Sequence, residues 1–185
     1  VGGQGFHDFG TGEHAMMVSG NEVGNLPVRN WSDGYFEGVD KITATVVKDT
    51  IRVGMDACPS CQVRCKKVVE LENERFKVDR RGGGPEYETL ASFGSFCGID
   101  DLAAISKANE MCNFYSLDTI SAGATIAFAM ECFEKEILSF EDTGGLDLRF
   151  GNADAMLEVL ELMARREGIG DLLADGTRKA AERIG

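Results

Sequence analysis

No run of apolar residues in this chain approaches the ~20 needed to cross a bilayer as a helix, and no signal-peptide pattern opens it. Basic residues are in deficit, 19 Lys and Arg against 31 Asp and Glu, which leaves a formal charge of −12. An acidic chain repels phosphate backbones and anionic lipid, so nucleic acid and membrane surfaces are poor partners. Prolines number three and histidines two, His7 and His14. Six cysteines in 185 residues are too few for a disulfide scaffold. No internal repeat is found, and no strand alternation after residue 85.

What is present is one domain's worth of chain, residues 1–185, with alanine-rich helical patterns. It starts at Val1 rather than at a methionine and stops at Gly185, directly after a helical pattern. We therefore expect a segment of a longer protein. The fold expectation is an all-α, multi-helix domain behind an irregular, glycine-rich segment at 1–38, with one short helix around Glu13 to Ser19. Asp40 is a candidate cap for a helix carrying Ile42, Val46 and Val47. Pro85 is a candidate helix start, behind the run Gly82-Gly83-Gly84. That run lacks the Gly-Lys-Ser/Thr ending of a phosphate-binding loop and reads as flexible chain.

Further helices are expected from Asp100 or Asp101 through Tyr115, from Asp118 through Ile137, from Asn152 through Met163, and from Asp171 to the end. The second of these is apolar nearly all round, which makes it central.

The chemistry concentrates at Cys58-Pro59-Ser60-Cys61-Gln62-Val63-Arg64-Cys65, within a loop near 57–67. Thiolates spaced C-x2-C-x3-C can converge on one metal centre, and iron–sulfur clusters are held this way with a fourth cysteine from elsewhere. Arg64, Lys66 and Lys67 beside the thiols favour thiolate and offset a cluster's negative charge. A structural zinc site and unliganded thiols are the alternatives. Zinc normally has paired C-x2-C or histidine knuckles, which this chain lacks. A zinc-bound or metal-free helical interaction module without redox activity thus remains a competing reading. Cys97, Cys112 and Cys132 lie in helical patterns and read as small buried hydrophobes. Close cysteines suited to a metal imply a reducing, cytoplasmic setting.

Further segments follow in a recognisable order: Gly84-Pro85-Glu86-Tyr87-Glu88, Gly98-Ile99-Asp100-Asp101-Leu102-Ala103, Ala108-Asn109, Leu117-Asp118-Thr119-Ile120-Ser121 and Arg166-Glu167-Gly168-Ile169-Gly170-Asp171. Together with the cysteines they resemble the aldehyde:ferredoxin oxidoreductase family, and the similarity runs from about Gly10 to the end. Members have a largely β first domain and helical second and third domains. The chain resembles the second, middle domain.

The resemblance implies a bis-pterin tungsten or molybdenum centre between the domains, beside a 4Fe-4S cluster. It implies oxidation of aldehydes to carboxylic acids, with electrons passed to ferredoxin, although some relatives act on other substrates. Carried over residue by residue, Cys58, Cys61 and Cys65 match cluster ligands, and the family's fourth cysteine belongs to the third domain. Glu88 matches a glutamate near the metal that handles protons; without the resemblance, Glu86 and Glu88 read as first-turn acids of a helix. Asp118 matches the end of the pterin segment Asp-x-x-Gly-Leu-Asp/Cys and reads on its own as a helix N-cap.

In that register Asn113 stands for the first aspartate, Ser116 for the glycine, and Leu117 is retained. A cleaner literal match, Asp142 to Asp147, is out of register and reads as an ordinary loop. Positions at which some members bridge two subunits through a metal hold Lys107, Glu110 and Leu157, so that bridge is not expected.

Overall fold

The computed structural model describes residues 3–185. Among them, helix dominates and strand is confined to two short ribbons. No helix is long and apolar enough to cross a membrane.

The N-terminal segment is less irregular than its glycines suggest. Helices α1 (Gln4–Phe9) and α2 (His14–Glu22) flank a turn in which Gly10 and Gly12 adopt φ of 74° and 82°. Only glycine enters that region without strain. Asp40 does not cap the next helix. It sits inside the 3-10 turn Val39–Lys41, and Thr43 caps α3 (Ala44–Thr50) instead, its hydroxyl accepting from Val46 N–H.

An all-α domain was the expectation, and here the structure corrects it. Strands β1 (Arg52–Asp56) and β2 (Lys66–Val69) pair antiparallel, with Asp56 opposite Lys66, Met55 opposite Lys67 and a slip at Val53. A second ribbon pairs β3 (Leu71–Glu72) with β4 (Lys77–Val78). Four or five residues are too few for a period of two to stand out, and here charges and Gly54 interrupt it. The alternation exists all the same: Lys67 and Val69 turn inward while Lys66 stays exposed.

Helix α4 (Tyr87–Phe93) follows Pro85, and a 3-10 turn at Ser95–Cys97 leads on to α5 (Leu102–Tyr115). Asp101 caps α5, accepting from Ala103 N–H at 3.0 Å and Ala104 N–H at 3.1 Å. Losing such a cap costs about 1 kcal/mol. Asp101→Ala should therefore lower the denaturant midpoint by that equivalent, and an unchanged midpoint would count against the cap.

Helix α6 (Thr119–Glu134) runs through the centre, packed on α4 along one side and on α7 (Ala153–Arg165) and α9 (Thr177–Ile184) along others. Ile126, Ala127, Ala129 and Met130 are fully enclosed; Ile120 at its start and Ile137 beyond its end are exposed. Asn152 caps α7 through Ala155 N–H at 3.1 Å, and Met156, Val159, Leu160 and Met163 form its buried stripe. The single last helix expected from Asp171 is two pieces. Helix α8 (Ile169–Leu173) stops, and Gly176 at φ 89° resets the chain before α9.

Candidate metal and cofactor site

The ribbon β1–β2 lifts the cysteine segment out of the domain as its connecting loop. Asp56 accepts from Ala57 N–H at 2.8 Å, Cys61 N–H donates to Cys58 O at 3.0 Å, and the imidazole Nδ1 of His7 lies 2.9 Å from Val63 O. Ser60 and Arg64 take left-handed backbone angles, φ 61° and 54°, that tighten the turn. All three thiols are free; Cys58 and Cys61 are exposed and Cys65 is half-buried.

Among the described residues, no three His, Cys, Asp or Glu side chains stand together as a site for one metal ion. A zinc site needs four donors around a single point, whereas a cluster spreads its thiolates over separate irons. The three thiols on this turn are the donor type that a cluster uses, and among the described residues they are not gathered round one point.

Beneath the loop lies a residue that sequence reasoning placed only as a neighbour. The Lys67 side chain is wholly buried, and its ammonium donates to Glu86 Oε2 at 2.8 Å and to Thr11 O at 3.1 Å. Glu86 also accepts from the Thr11 hydroxyl, which in turn accepts from Tyr87 N–H at 2.8 Å and so caps α4 from across the chain. Burial pulls the Lys67 pKa below the usual lysine value, and the charges of Glu86, Cys65 and Glu88 pull it back up.

Two glycines make room for this lysine. A Cβ on Gly10 would lie 2.5 Å from the Lys67 nitrogen, and one on Gly84 would lie 2.8 Å from the Lys67 Cβ. Gly82 packs similarly on Glu110. Gly82 and Gly84 are thus closely packed, which corrects the reading as flexible chain at these two positions, while Gly83 between them makes only ordinary contact and takes φ 67°.

A cleft of about 770 Å³ opens beside the ribbon, lined by Lys66, Arg80, Arg81, Glu86, Thr89, Asn113 and Thr119 among others. Of the expected pterin residues it takes in Asn113 but not Leu117 or Asp118. Glu88 lies on the first turn of α4, exposed, between the lining residues Glu86 and Thr89. The hydroxyls of Thr89 and Thr119 meet at 2.9 Å and tie α4 to the start of α6.

Asp118 does cap α6. Its Oδ2 accepts from Ser121 N–H at 2.7 Å, and the Ser121 hydrogen bonds hold its carboxyl below the usual range. Asn113 donates to Asn109 O at 2.8 Å, and Leu117 is half-buried against the core. Ser116, where the family's segment has glycine, takes φ 58° and ψ 39°, the left-handed region that glycine enters freely.

The Asp142–Asp147 segment is a loop. Asp142 accepts from Ser139 N–H at 2.8 Å, and Gly144 and Gly145 sit at φ 70° and 93°. At the positions of the family's subunit-bridging metal, Lys107 pairs with the buried Glu110, which also accepts from Asp79 N–H. An ammonium thus neutralises that carboxylate. Leu157 is half-buried against the core.

Sequence reasoning missed Thr11, Glu86 and Lys67 as a unit, and Arg80 and Arg81 as cleft residues. The signal available for Lys67 was its place two residues before Val69, on the inward face of a strand too short to be called.

Residues 2–185 match the family model described as "Aldehyde ferredoxin oxidoreductase, domains 2 & 3". The chain is 35% identical, over its full length, to tungsten-containing aldehyde ferredoxin oxidoreductases of Pyrococcus abyssi and Pyrococcus furiosus, and spans about 30% of each. It is 31% identical to the "Aliphatic sulfonate oxidoreductase, WOR-like subunit" of Pyrococcus furiosus, covering 97% of this chain and 28% of that protein. Among solved structures, a chain of the active-site complex BamBC of benzoyl coenzyme A reductase, bound to 1,5-dienoyl-CoA, superposes with a TM-score of 0.62 at 26% identity. The match covers 89% of this chain and 24% of that one. A family model matching essentially every residue, with relatives at this identity across the whole length, shows that the chain belongs to the aldehyde ferredoxin oxidoreductase family.

Proposed function

We propose that this chain is the middle, helical domain of a tungsten- or molybdenum-pterin enzyme that oxidises aldehydes to carboxylic acids and delivers electrons to ferredoxin in the cytoplasm. One observation carries it: three free thiols share a single exposed turn beside the cleft, whose wall includes the Thr89–Thr119 contact between α4 and α6. Bound together, the metal-pterin and the cluster would take up an electron pair from the substrate and release the electrons one at a time.

The chain's own residues would do the rest. Cys58, Cys61 and Cys65 would ligate three irons of a 4Fe-4S cluster, the fourth ligand coming from another domain. Oxidation of a carbonyl through its hydrate needs a base, and Glu88, exposed on the first turn of α4, is available to other domains that close over it. Asp118 spends one oxygen on the cap of α6 and keeps the other for a pterin amino group. Asn113, on the last turn of α5, adds a side-chain amide at the cleft wall, and Leu117, half-buried against the core, would steady the segment that joins Asn113 to Asp118.

Aldehyde-dependent reduction of a viologen by the complete polypeptide tests this reading. Glu88→Gln should cut kcat at least ~100-fold, the lower end for loss of a general base, with tungsten or molybdenum and iron contents unchanged. A Glu88→Gln protein as fast as the wild type would remove the proton-handling role. A metal-replete wild type inert towards aldehydes would move the substrate class, as the sulfonate and benzoyl coenzyme A relatives would allow.

A further inference from the structure

We propose that Lys67 is a positioning residue for the cysteine loop and supplies a fixed positive charge that raises the reduction potential of the cluster; this rests on the cluster reading above. Lys67 follows Cys65 by two residues and is the first side chain past the loop to turn wholly inside. Its ammonium and the Cys65 carbonyl converge on the Gly10 turn, 2.5 and 2.8 Å from where a Cβ there would stand. Through Glu86 and Thr11 the same ammonium reaches the cap of α4, the helix that carries Glu88. The end of the loop and the start of α4 are therefore fastened to one another through one buried ion pair.

A lysine in that place has a role that a neutral side chain of the same shape would not fill. An ion pair kept only for stability could be replaced, both members together, by apolar residues of similar volume at little cost. Here the opposite charge, Glu86, is itself 35% exposed at its side chain, while the ammonium is the buried partner, on the residue two places after Cys65. Adding an electron to a cluster is easier beside a fixed cation, and a low-dielectric surround strengthens the effect.

The test is a redox titration of the cluster at pH 7, followed by its electron paramagnetic resonance signal, in the complete polypeptide. Lys67→Met, which keeps the length and removes the charge, should disfavour reduction about tenfold, a fall of ~59 mV for one electron. Glu86→Gln should move the potential the other way, by a smaller amount. A purely structural ion pair would not give shifts of opposite sign. An unchanged potential in Lys67→Met at full iron content overturns the inference and leaves the cluster reading standing. If Lys67→Met holds no iron, Glu86→Gln decides: a raised potential supports the charge role and an unchanged one overturns it. A wild-type protein without iron or sulfide overturns the cluster reading, and this inference with it.

Discussion

Valine at position 123 should destabilise the domain by about 3 kcal/mol, the upper end for forcing extra atoms into a packed core. Gly123 lies where α6 crosses α4. A Cβ there would stand 2.7 Å from the Cβ of Ser92 and 2.8 Å from its carbonyl carbon and oxygen. Two of those three atoms are backbone, so nothing can swing aside; the helices must part. Helix propensity pulls the other way for alanine, which gains up to ~1 kcal/mol over glycine inside a helix. Contact at 2.7 Å outweighs that gain, and Gly123→Ala should still lose stability. Gly20 in α2 supplies the contrast, since nothing lies within 4 Å of its Cβ position. There alanine should stabilise by about 0.5–1 kcal/mol. Denaturant midpoints of the variants give the signs directly. A neutral Gly123→Val would mean that α4 and α6 are not in contact as described. Because Thr89 on α4 meets Thr119 on α6, parting the helices would also disturb the cleft wall.

That contact shows where sequence reading stops. The caps at Asp101, Asp118 and Asn152 were legible because a short polar side chain before an apolar period is a local signal, and each makes its hydrogen bond. The buried stripe of α7 was legible for the same reason. The role of Gly123 was not, because its neighbour Ser92 is distant in sequence and close only after folding. The ribbons were missed because their alternation spans four or five residues and because Lys67, the inward residue of β2, belongs to a type that normally points out. A buried lysine needs its carboxylate, and Glu86 comes from a segment that local reading assigned to first-turn helix chemistry. Only three-dimensional proximity shows that Glu86 serves both the buried lysine and the threonine that caps α4. The cysteine spacing, by contrast, is fully local, and the three thiols lie on the loop that joins β1 to β2.

Replacing Cys61 with alanine should remove the cluster, leaving under about a tenth of the wild-type iron and acid-labile sulfide after anaerobic reconstitution of the complete polypeptide. Cys61 sits in the middle of the turn, its N–H on the carbonyl of Cys58, so its loss removes the thiolate flanked by the other two. Cys112→Ala is the matched control. Burial pushes the Cys112 thiol up to about 12, with the nearby Asp118 carboxylate adding to the effect, so it stays protonated at neutral pH. A protonated thiol in the core is not a ligand, and its removal should leave iron and sulfide at wild-type levels while costing some packing energy. The pair separates the three readings of the motif. Loss in Cys61→Ala with retention in Cys112→Ala supports the cluster. Stoichiometric zinc without sulfide in the wild type would instead make the loop a structural metal site. Iron retained in Cys61→Ala would sink the assignment of this thiol, and with it the view that the β1–β2 loop exists to carry electrons between the cleft and a partner.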